Sequence, residues 1–181
     1  MNKSTDIEKA SSRMQKVCAL FMILLPLGVA LIWFNVNQKT PNLDPWISSL
    51  PIEPKGPIPF TGIIMGMLAA MLPTGVVIYA LARLRGLFGL YAKGSVFEFE
   101  NVKCYRDLGR AILIWGLFCM LSKTLQVLII TFFTYPPGQR LLVLGVGPNE
   151  IGAVFIGVVV IIISRVMEKG RLINKENSLI I

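Results

Sequence analysis

The chain has 181 residues, 54% of them hydrophobic, with a mean hydropathy of +0.67, which excludes an ordinary soluble domain of this size. Its net charge is +8, yet no basic stripe interleaved with aromatics appears, and this argues against direct nucleic-acid binding. It has no histidine, so the commonest general base and metal ligand is missing.

A helix needs about 20 mostly apolar residues to cross the ~30 Å hydrocarbon layer. Four stretches meet that length, and none shows the regular polar face of a soluble core helix. The first, 17–34, is uncharged. Lys9, Arg13 and Lys16 precede it, as in a signal peptide, but it is long for one and no small-x-small site follows, so it reads as an uncleaved span. Residues 35–59 then hold six prolines and predict an irregular loop, either a spacer or a lid. Asp44-Pro45 fits the start of one short helix that would lay Trp46 and Leu50 on the membrane surface.

The second span, 61–82, carries Gly62-x-x-x-Gly66-x-x-x-Ala70, a small-residue face that lets a neighbouring backbone approach, within the bundle or across a homodimer seam. Pro26 in span one and Pro73 here each free a backbone carbonyl. The apolar run continues through Tyr91, so the helix is expected to project past the membrane and to end at Gly94. Ser95-x-x-Glu98 reads as a capping box that opens the next helix.

The third span, 111–133, contains Lys123 near its centre, with Ser122, Thr124 and Gln126 as polar company. A charge there costs about 2.5–3.5 kcal/mol on insertion scales. No acid lies deep in any span, so Lys123 is expected to face the protein interior, and Lys123 with Gln126 forms a candidate intramembrane polar contact. The fourth span, 150–167, begins at Glu150 and is rich in Val and Ile.

Charge orients these spans. Fourteen Lys and Arg residues lie before span one, between spans two and three, and after span four. Lys39, Lys55 and Arg140 lie in the other two connections. The positive-inside rule therefore predicts cytoplasmic N and C termini. Trp33 and Tyr135 fall at the outer ends of their spans, where amphipathic rings favour the headgroup layer. Cys18, Cys104 and Cys119 fall on the reducing side or within the membrane, so no disulfide is expected, and their spacing matches no metal site.

The fold expected is all-α: a four-helix transmembrane bundle forming one domain. Gly94, Phe97, Glu100, Asn101 and Val102 follow the pattern G-x-x-F-x-x-E-N-V before span three. Gly170, Leu172, Glu176 and Leu179 punctuate the C-terminal end. With these motifs the chain resembles a family of small bacterial membrane proteins catalogued as domain of unknown function 2975. It departs from the family pattern at Ser178, where Thr is usual, and at Asn174-Lys175, where acidic residues are common. The resemblance implies four spans in a bacterial inner membrane and no known activity. It also implies, by gene association alone, a small cytoplasmic helix-turn-helix regulator as partner.

Both motifs map to the cytoplasmic side. Phe97, Glu100, Asn101, Gly170, Leu172, Glu176 and Leu179 are therefore the candidate docking surface. The apolar Leu179-Ile180-Ile181 end is expected to fold back onto Val96, Phe97 and Val102, with Arg171 and Lys175 near Glu98 or Glu100. A non-enzymatic membrane protein with a cytoplasmic docking surface is the reading these features favour, with no cofactor. The alternative is a transporter or channel subunit with Lys123 facing a pore. An intramembrane enzyme would need a histidine, an acidic pair or an activated serine within the spans.

Overall fold

The computed structural model describes residues 3–38, 52–95, 98–144 and 147–177. It contains four helices and, among the described residues, no strand. They are α1 (Lys3–Phe34), α2 (Phe60–Ala92), α3 (Phe99–Thr134) and α4 (Pro148–Asn177). Each is long and apolar enough to cross a membrane. The chain is a multi-pass membrane protein.

The helices form a row in chain order. α1 packs on α2, α2 on α3 and α3 on α4. Among the described residues, the backbone of α1 does not closely approach that of α3 or α4, nor that of α2 the backbone of α4. The expected bundle is therefore an open one. Each neighbour runs antiparallel. Trp33 meets Gly66 at one end of the α1–α2 pair and Gln15 lies by Gly89 at the other. Tyr91 and Tyr105 hydroxyls meet at 2.9 Å between α2 and α3, and Ser164 of α4 donates to the Val102 carbonyl at 3.3 Å. Both outer helix ends, Lys3 and Asn177, thus lie on the side where the fourteen basic residues collect, called here the basic end.

The core lies toward the opposite end. Trp33 is 1% exposed and packs with Ile52, Ile58, Ile63, Ala70, Val127 and Ile130. Its expected headgroup position is corrected: the ring sits against Gly66, where the missing side chain leaves room. Gly62 likewise faces Ile58 and Phe133. The small-residue face of α2 is therefore filled from within the chain. Residues 35–59 are not a loose spacer at their described ends, because Asn37 both donates to the Ile58 carbonyl and accepts from its N–H, at 2.8 and 2.9 Å. The short helix expected at Asp44-Pro45, with Trp46 and Leu50, lies outside the described residues.

At the basic end, α2 closes as expected at Gly94. Gly94 has φ +77°, its N–H bonds the Tyr91 carbonyl at 3.0 Å, and the Ser95 N–H bonds the Leu90 carbonyl at 3.1 Å. The capping box does not form. Glu98 is the N-cap of α3 but makes no side-chain cap bond. Ser95 belongs instead to the closing turn of α2, and the Asn101 side chain takes its carbonyl at 2.9 Å.

Candidate functional site

Two clusters hold the polar residues singled out by the sequence. The first surrounds the middle of α3. Pro73 has no N–H to offer the carbonyl four residues before it, that of Ala69. The hydroxyl of Ser122 crosses from α3 and donates to that carbonyl at 2.8 Å. Gln126 Nε2 in turn donates to Ser122 Oγ at 2.7 Å. Ser122 is 2% exposed and Gln126 3%. This relay repairs the gap that proline leaves in the α2 ladder. Gln126 is accordingly a packing residue between α2 and α3.

Lys123 points elsewhere. Its Nζ meets Glu150 Oε1 of α4 at 2.5 Å, and the other oxygen, Oε2, accepts the Gly147 N–H at 2.8 Å. Glu150 is only 7% exposed, whereas 38% of the lysine side chain is exposed. The expectation that no acid reaches Lys123 is corrected. Its source is the connection before α4, read in the sequence as an outer loop. From the far end of α3 this chain runs back along the helix. Thr131 donates to the Leu141 carbonyl at 3.5 Å and Thr124 to the Val143 carbonyl at 3.2 Å. α4 then starts beside Lys123, eleven residues below Thr134, which is ~16 Å at 1.5 Å per residue. The fourth helix is preceded by an irregular segment that lies along α3. Both hydroxyls also face carbonyls of α3 itself, Thr124 that of Met120 at 3.0 Å and Thr131 that of Val127 at 2.9 Å, so the returning chain shares these donors with the helix. Lys123 and Gln126 are thus separated by role, one tied to α4 and one to α2.

The α3–α4 seam was not singled out beforehand. A Cβ on Gly109 would meet Ile161 N at 3.0 Å and the Gly157 carbonyl at 3.1 Å. One on Gly116 would meet Ala153 Cβ at 3.2 Å. The signal was present as Ala153-x-x-x-Gly157, a second small-residue spacing.

The second cluster sits at the basic end. Asn101 is 0% exposed and pins the α2–α3 turn. Glu100 is exposed on the first turn of α3. Arg83 of α2 pairs with Asp107 of α3 at 3.3 Å. Arg171 of α4 lies over the Phe99 ring, 5.7 Å from its centre, and pairs with Glu168 at 2.8 Å. Its expected neighbours Glu98 and Glu100 are therefore replaced by an acid one turn away on its own helix. Phe99, Leu172 and Ile173 stand exposed around this contact. Gly170 is half-buried in α4, which remains helical through Asn177, so the basic segment after span four continues the helix. Glu176 lies in its last turn with its side chain outside the description. Val96, Phe97, Leu179 and Ile181 lie outside the described residues. Among the described residues no group of His, Cys, Asp and Glu is placed to hold a metal.

The two family motifs therefore approach each other in space where Phe99 meets Arg171, which is the association their separate positions in the sequence left open. No curated protein and no solved structure matches the chain. The family model described as "Protein of unknown function (DUF2975)" matches residues 37–181. The chain belongs to that family.

Proposed function

We propose that this protein is a non-enzymatic bacterial inner-membrane anchor whose basic end, in the cytoplasm, docks a soluble partner. The observation that carries the reading is the meeting of the two motif segments at Phe99 and Arg171, with Leu172 and Ile173 exposed beside them. Arg165, Lys169 and Lys175 on the same helix mark this end as the one the positive-inside rule assigns to the cytoplasm. Exposed apolar groups beside a charged rim mark docking surfaces. Glu100 and Asn101 contribute differently: the first is free to contact a partner, and the second holds the turn in shape. The partner class we favour is a small helix-turn-helix regulator, on the family association alone.

The transporter reading is weaker. Lys123 is engaged by Glu150, so it offers no unpaired cation to a passing solute, and Gln126 is buried between α2 and α3 on Ser122. The test is photo-crosslinking in cells from positions 99 and 172, followed by identification of captured proteins. Capture of one small cytoplasmic regulator, lost on Leu172→Asp, is expected. Crosslinks to lipid alone would overturn the reading.

A further inference from the structure

The end opposite the basic one has few cations, and two of them, Lys55 and Arg140, are held at or next to the same turn. Pro136 to Gln139 form a tight turn: Gly138 has φ +92°, and the Gln139 N–H bonds the Pro136 carbonyl at 3.1 Å. The Tyr135 hydroxyl ties this turn to the Glu53 carbonyl at 2.9 Å. Lys55 then reaches across, donating to Gln139 Oε1 at 3.0 Å with its ammonium 4.4 Å from the centre of the Tyr135 ring. The next residue, Arg140, stacks on Phe132 with its guanidinium carbon 4.1 Å from the ring centre. Stacking occupies the face of the guanidinium and leaves its edge N–H groups available for a bidentate acceptor. Arg140 makes no ion pair among the described residues.

Beneath Arg140 lies an apolar cleft of about 240 Å³ between α2 and α3, lined by Met65, Leu128, Ile129, Phe132 and Phe133. Arg140 also lines it. An apolar cleft between two spans, bordered by a guanidinium that makes no ion pair among the described residues, matches a molecule with an apolar chain and an anionic head. We propose that this cleft is a binding site for an anionic phospholipid, its acyl chain between α2 and α3 and its phosphate on Arg140 with Lys55 alongside. The turn and the Tyr135–Glu53 bond fix both cations before the lipid arrives. The guanidinium charge, not the apolar wall, selects the lipid, since a zwitterionic phospholipid fills the cleft equally well. Each basic side chain near a charged headgroup contributes about fivefold in affinity, the factor that ~1 kcal/mol represents.

The test uses the full chain in phosphatidylcholine vesicles doped with phosphatidylglycerol or phosphatidylcholine carrying a diazirine in the acyl chain. Labelled residues are located by peptide mass spectrometry. Phosphatidylglycerol is expected to label Met65, Leu128 and Phe132 several-fold more than phosphatidylcholine does. R140Q should cut that excess by about fivefold. Labelling around Trp115, in a separate groove, should stay unchanged and reports a folded protein. Should R140Q lose that control labelling, K55Q decides: a reduced excess supports the site and an unchanged one overturns it. Equal labelling of the wild-type cleft by the two lipids, or an excess that survives R140Q in a folded protein, overturns the proposal.

Discussion

The hydroxyl of Ser122 in α3 donates to the carbonyl of Ala69 in α2 at 2.8 Å, the acceptor that Pro73 leaves without its helical donor. The bond and the proline form one unit. Ser122→Ala should therefore destabilise the wild type by about 1 kcal/mol, within the range of interhelical hydrogen bonds in membranes. In a Pro73→Ala background residue 73 supplies its own N–H, and the same substitution should cost much less. Unfolding in detergent micelles across this double-mutant cycle measures the coupling. Equal costs in both backgrounds would show the two features to be independent.

Lys123 and Glu150 are predicted to matter as a pair and not singly. Glu150→Gln leaves the Lys123 ammonium, on a partly exposed side chain within a span, without its counter-charge and should cost about 1–3 kcal/mol. Lys123→Leu with Glu150→Leu removes both charges and should restore most of that loss. The same unfolding assay reads it. A double variant as unstable as Glu150→Gln would mean that the pair does more than neutralise itself.

Glycines should divide by what their missing side chains face. Gly66→Ala drives a methyl into the rigid Trp33 ring, with an approach of 2.0 Å, and Gly109→Ala drives one into α4 backbone. Both should destabilise by about 1–3 kcal/mol. Gly28 has nothing within 4 Å, so Gly28→Ala should be neutral or stabilising by up to ~1 kcal/mol. Thermal unfolding in micelles ranks the three.

Asn101→Ala removes the donor to the Ser95 carbonyl and should loosen the α2–α3 turn at a cost of about 1–3 kcal/mol. Faster limited proteolysis between residues 92 and 99, with membrane insertion intact, is the expected readout. Unchanged cleavage would assign the asparagine another role.

Orientation follows from charge alone and is checked by labelling. In a background with the three native cysteines replaced by alanine, Arg140→Cys should react with an impermeant maleimide from outside intact cells. Glu98→Cys and Lys175→Cys should react only after permeabilisation. Labelling of position 175 from outside would reverse the orientation.

The four crossings were legible in the sequence because lipid demands a long, predominantly apolar stretch for each, and length and hydropathy are properties of a segment taken alone. The turn at Gly94 was legible for a similar reason, since a left-handed residue after a helix is a local requirement. The closing of that turn by Asn101, rather than by a capping box at Ser95 and Glu98, was not, because two local hydrogen-bonding schemes competed and packing chose between them. Trp33 read as an interfacial ring from its position, but the space that draws it inward is made by Gly66 on another helix. Glu150 read as the outer start of a span, and only the return of residues 141–144 along α3 carries α4 down to Lys123. Segment properties follow from composition and are written in the sequence. Which groups meet depends on how deep each helix starts and on which neighbour leaves room, and that is decided by close packing between residues far apart in the chain.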